Sequence, residues 1–144
     1  MQVDFYQLSC DPVEHVAALL ADKALASGAR VLIVSGAPDR RDAISRSLWS
    51  REGAFLAHGG PETREASRQP IVLGSECVNP NGAGMVILAD GLWHEDARRF
   101  DRAFLLFDEE RTQEARTLWS ELSTGEDSLR IFKQRSDGAW REGR

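Results

Sequence analysis

Residues Val31-Leu32-Ile33-Val34 form an unbroken apolar run of four, bounded by Arg30 on one side and Ser35-Gly36 on the other. A run this short, with no polar alternation, fits a strand covered on both faces, as in the middle of a parallel sheet. Parallel strands need crossovers, and helices flank the run. Val13, Val16, Ala17, Leu20, Ala21, Ala24 and Leu25 recur at helical spacing. Asp11 is the expected cap of that helix, Pro12 suits its first turn, and Gly28 closes it. A second helix is expected from about Pro38 to Arg51, with Ala43, Ile44, Ser47 and Leu48 inward.

The same alternation continues along the chain. Val3 to Leu8 reads as a buried first strand, and Ile71–Leu73, Met85–Leu88 and Arg102–Phe107 as further strands. Asp108 and Glu109 open a third helix with acids that favour the helix dipole; it carries Ala115, Leu118, Trp119 and Leu122 inward or half-inward. The tail alternates around Ser136-Asp137-Gly138, as a hairpin does. The pattern predicts a single three-layer α/β/α domain over residues 1–144, with a mostly parallel, Rossmann-like sheet and a short hairpin within 125–144.

A chain of 144 residues can bury one core of its own. No apolar run approaches the roughly 20 residues of a membrane span, and the N-terminal MQVDFYQLSCDP has no signal-like segment, so a cytoplasmic location is expected. The net charge of −5 argues against a protein that coats nucleic acid, and no direct nucleic-acid binding is expected. The charge is uneven. From Ser128 onward, five basic residues stand against two acidic ones, which suits an acidic peptide better than a duplex. Cys10 and Cys77 lack a Cys-x-x-Cys spacing and read as buried or half-buried apolar side chains. His15, His58 and His94 are dispersed, so no metal is expected.

The turn Ser35-Gly36-Ala37-Pro38-Asp39 stands where a nucleotide enzyme would cradle phosphate. It has one glycine where a dinucleotide fingerprint has three, and Arg40-Arg41-Asp42 where a Walker loop has Gly-Lys-Ser or Gly-Lys-Thr. The turn therefore reads as architecture, with no cofactor. No Gly-x-Ser-x-Gly elbow is present. Asp90, Asp96, Asp101 and Asp108 fall near strand ends and read as helix caps or solvated acids, so no catalytic residue is expected. The alternative is a small α/β nucleotide-binding protein or enzyme that uses the strand ends near Gly36, Asp90 and Asp108.

Aromatics and arginines gather in two places. The first is Leu48, Trp49, Phe55, Leu56 and His58, which reads either as a small buried cluster or as a surface with a tryptophan anchor. The second combines Phe107, Arg111, Arg116 and Trp119 with Phe132, Lys133 and Trp140 of the tail. Arg116 and Trp119 are three apart and share a helix face. An arginine beside an aromatic ring suits a peptide that ends in an apolar residue and a carboxylate.

At these residues the chain resembles the chi subunit of bacterial DNA polymerase III holoenzyme. The resemblance runs through Phe5-Tyr6-x-Leu8, Gly28-x-Arg30-Val31-Leu32, and Leu48-Trp49 with Phe55 and His58. It continues through Asn81-Gly82, the strands at Met85–Leu88 and Arg102–Asp108, Ala115-Arg116 with Trp119, and Asp137-Gly138-x-Trp140. It implies a non-enzymatic clamp-loader adaptor that binds the acidic C-terminal tail of single-stranded DNA-binding protein, a tail ending in Pro-Phe. The implied pocket is Arg116 and Trp119 above Phe107. Here Ser120 replaces a pocket lysine, for which Lys133 or Arg130 would substitute. The resemblance assigns Leu48, Trp49, Phe55, Leu56 and His58 to the psi subunit or another clamp-loader component.

Overall fold

The computed structural model describes residues 1–50, 58–62 and 66–143. The Val31–Val34 run is strand β2, fully buried, in the interior of an eight-stranded sheet. The other strands are β1 (Gln2–Gln7), β3 (His58–Gly59), β4 (Ile71–Gly74), β5 (Met85–Leu88), β6 (Arg102–Phe107), β7 (Ser128–Gln134) and β8 (Trp140–Gly143). Their order is β3-β4-β2-β5-β6-β1-β7-β8, parallel throughout except for β8, which runs antiparallel to β7. The fold is α/β and Rossmann-like.

Helices α1 (Val13–Ala26) and α2 (Pro38–Ser50) cover one face, where Val16, Leu20, Ile44 and Leu48 pack on Val31, Ile33, Ile87 and Leu106. Helix α3 (Thr112–Leu122) covers the other, with Ala115, Leu118 and Leu122 against Val3, Phe5, Leu105 and Phe107. The change of face follows from the order of the strands. The connection from β1 to β2 runs toward one edge of the sheet and that from β6 to β7 toward the other. Right-handed crossovers in opposite directions place their helices on opposite faces.

Local chemistry sets the element ends. Gly28 takes a φ of 87° after α1, and the N–H groups of Gly28 and Ala29 donate to the carbonyls of Leu25 and Ala24, closing a Schellman motif. Gly91 (φ 72°) lies where a Cβ would come 3.1 Å from Cδ of Arg111 and 3.2 Å from Cβ of Phe107, so the loop after β5 can pass close under β6. Asp11 does not cap α1, contrary to the sequence expectation. Its Oδ2 accepts from Nε2 of Gln134 at 2.7 Å, while Oε1 of Gln134 accepts the N–H groups of Ser9, Cys10 and Asp11 at 3.2, 3.0 and 3.1 Å. One buried amide thus ties the β1–α1 loop to the end of β7. The third helix also begins later than expected, with a 3-10 turn over Glu109–Arg111 before α3.

α1 and α2 leave the β1–β7–β8 end of their face without a helix. Here Asp4 of β1 is fully buried, ion-paired with Arg102 and 3.3 Å from Nε of Arg130. Tyr6 stacks on Phe132 at 4.8 Å and meets Trp140 edge-on at 5.2 Å. Aromatic rings and paired arginines close this end of the core.

Candidate functional site

On the opposite face, α3 and the β1–β7 strands bound a groove of about 400 Å³. Phe5, Phe107, Ala115 and Ile131 give it an apolar lining. Trp119 is half-buried and edge-on to Phe5 at 5.1 Å, and Phe5 is edge-on to Phe107 at 6.4 Å, so the indole is held by the core while one side stays open. Helical spacing puts Arg116 beside Trp119, and both line the groove with Ser120 and Lys133. Arg116 and Lys133 are exposed, and among the described residues neither has a hydrogen-bond or ion-pair partner. Arg111, by contrast, is paired with Glu114 at 2.8 Å. The arrangement offers an apolar slot, a flat ring and two cations without counter-charges, the complement of an apolar residue bearing a carboxylate.

A wider cleft lies at the carboxyl ends of the strands, where α/β proteins bind ligands. Its phosphate-cradle position, the N-terminus of α2, is occupied from within. Asp90, just after β5, accepts the Gly36 N–H at 2.7 Å, the Ser35 hydroxyl at 2.8 Å and Nη1 of Arg40 at 2.8 Å. Burial alone would raise the Asp90 carboxyl, but those three donors outweigh it and hold it below the ordinary carboxylate value. The donors that would receive a phosphate already hold a carboxylate of the chain. Asp90 is thus an internal anion, and the sequence expectation of a cap or solvated acid is corrected here.

No curated protein matches the chain. The family described as DNA polymerase III chi subunit, HolC, matches residues 1–127 of the 144. The chain belongs to the DNA polymerase III chi subunit family. Polymerase III accessory subunits of this kind are not the catalytic ones. The chi match takes in β1 to β6 and all of α3, hence Phe107, Arg116, Trp119 and Ser120. It ends before β7, so Ile131 and Lys133 reach the groove from outside the matched chi region.

The structure divides the second sequence cluster. Lys133 and Ile131 line the groove, whereas Arg130 and Phe132 face the other side, with Asp4 and Tyr6. Lys133 therefore stands in the groove with Ser120, and Arg130 does not. The period of two along a strand carries this information, because neighbouring residues cannot share a face. Gln7 and Thr112 also line the groove but have no distinctive sequence signal.

The other candidate surface of this chi-family chain lies at the end of α2. Trp49 is 56% exposed and its ring is 4.8 Å from that of His58, whose Nε2 lies 2.8 Å from Oγ of Ser45. Leu48 is fully buried, which corrects its assignment to a contact surface: it holds α2 on the sheet beneath Trp49. Phe55 and Leu56 lie outside the described residues. Cys10 proves exposed, contrary to expectation, and Cys77 is buried, where desolvation and then Asp96 push its thiol up to about 11. Among the described residues, no group of His, Cys, Asp and Glu is placed to hold a metal ion, and no helix is long and apolar enough to cross a membrane.

Proposed function

We propose that this chi-family chain is a non-catalytic adaptor that binds the acidic C-terminal tail of single-stranded DNA-binding protein and links it to DNA polymerase III in the cytoplasm. The observation that carries the reading is a pair of cations, Arg116 and Lys133, that have no counter-charge among the described residues and stand beside the groove lined by Phe5, Phe107 and Trp119. The terminal phenylalanine ring enters the apolar slot against Trp119. The terminal carboxylate takes a two-pronged pair from Arg116, with the Ser120 hydroxyl at the rim. Lys133 supplies the charge that Ser120 lacks. Trp49 and His58, on the far side of the sheet, form the surface for psi or another clamp-loader component, so that both partners can be held at once. The net charge of −5 supports a protein partner over direct contact with DNA.

The test is a fluorescence titration with a labelled acidic peptide ending in Pro-Phe. Binding in the micromolar range is expected, on the order of 8 kcal/mol, and it weakens as salt rises. Arg116→Ala should cost about 1–3 kcal/mol of binding through loss of a charge-assisted pair. No binding by the wild type, or unchanged binding by Arg116→Ala, refutes the assignment.

A further inference from the structure

Lys133 and Arg141 occupy directly opposite positions in the antiparallel β7–β8 ladder and so project from the same face of the hairpin, the face that borders the groove. Side chains so paired have Cβ atoms about 5 Å apart, and like charges there repel. Among the described residues, no acid is paired with either. Glu142, the nearest acid in β8, lies opposite Phe132 on the other face, where its charge acts on Arg130. The stem of Lys133 lies over Gly143, within ordinary contact distance of where a Cβ would stand. Asp108, Glu109 and Glu110, in and before the 3-10 turn that precedes α3, follow Phe107 at the same carboxyl edge of the sheet as Lys133, but none of the three lines the groove. A basic rim therefore runs from Arg116 through Lys133 to Arg141.

A cation pair that the fold itself does not neutralise is a local cost that an anionic ligand would remove. We infer that the Lys133–Arg141 rung binds acidic side chains lying upstream of the terminal carboxylate, so that an acidic peptide leaves the groove over the β7–β8 hairpin. This rests on the groove reading above. It adds a second anion locus, borne by the segment beyond the chi family match. The partner is then read at two points: its terminal carboxylate at Arg116 and its acidic run at the rung.

Three peptides test the division of labour by fluorescence anisotropy: an acidic peptide ending in Pro-Phe, the same peptide with its acids replaced by Asn and Gln, and the acidic peptide with an amidated C-terminus. Arg141→Gln should weaken the acidic peptide about threefold to fivefold, the range of an exposed ion pair, and leave the neutralised one unchanged. Arg116→Gln should instead abolish the preference for carboxylate over amide. Arg141→Glu, which creates a pair with Lys133, should raise the melting temperature while weakening the acidic peptide further. If Arg141→Gln weakens the acidic and neutralised peptides equally, or neither, while Arg116 still discriminates carboxylate from amide, the rung is overturned and the groove stands. If the wild type binds none of the three, the groove reading falls and the rung with it.

Discussion

The two faces of β7 carry the same ingredients with opposite outcomes. On one face Arg130 lies over the Phe132 ring at 5.3 Å, and its guanidinium bonds to Asp4. On the other, Lys133 and Arg116 stand beside Trp119 with no acid to meet them among the described residues. A cation next to an aromatic ring is therefore not in itself a binding site. What matters is whether the chain supplies the counter-charge. The turn at Gly36 repeats the lesson, since a helix N-terminus suited to an anion is already satisfied by Asp90.

The most forceful way to break this comparison is to remove the internal anion. Asp4→Ala leaves Arg102 and Arg130 without their shared partner, and the buried carboxylate's place becomes a void. Breaking a buried ion pair from one side should cost roughly 3 kcal/mol, measured by urea unfolding. A loss below about 0.5 kcal/mol would put Asp4 on the same footing as an ordinary surface residue.

The turn gives an intermediate effect. Asp90→Asn retains the shape but loses the charge received by Arg40 and the Gly36 N–H, and should cost about 1–2 kcal/mol. The pH dependence has a definite sign. The Asp90 carboxyl is held below its unfolded value, so its stabilisation is present above that value, about 3.9, and is lost as pH falls below it through the lower folded value. Wild type and Asp90→Asn should therefore converge in stability on acidification, as followed by circular dichroism. Curves that stay parallel to the lowest pH would deny Asp90 that role.

The smallest effect on the fold is expected at Trp49. With more than half its surface exposed, Trp49→Ala should change stability by less than about 1 kcal/mol. The same variant should fail to retain clamp-loader components in a pull-down. Equal recovery by wild type and variant would remove Trp49 from the interface and sharpen the case that the groove is the chain's single contact surface.

Much of the architecture is legible in the chain because burial leaves a periodic trace. The apolar runs at 31–34, 85–88 and 102–107 coincide with β2, β5 and β6, and the spacing from Val13 to Leu25 with α1. Arg116 and Trp119 can be set on one helix face for the same reason. The two-residue β3 and the 3-10 turn at Glu95–Arg99 leave too short a pattern to be read. Asp11 illustrates a different failure. Its type and place suit a helix cap, but Gln134, far away in sequence, takes its carboxylate.

Local sequence alone determined where strands and helices form, that one helix carries an arginine beside a tryptophan, and that the Gly36 turn lacks a phosphate-binding motif. These follow from the repeat of the backbone and the chemistry of neighbouring residues. Tertiary structure alone decided which charges are neutralised within the chain and which, among the described residues, meet no acid. Asp4 meets Arg130 across 126 positions, and Ser35 meets Asp90 across 55. Coulombic and hydrogen-bond partners are selected by distance in space, and distance along the chain carries almost no information about it.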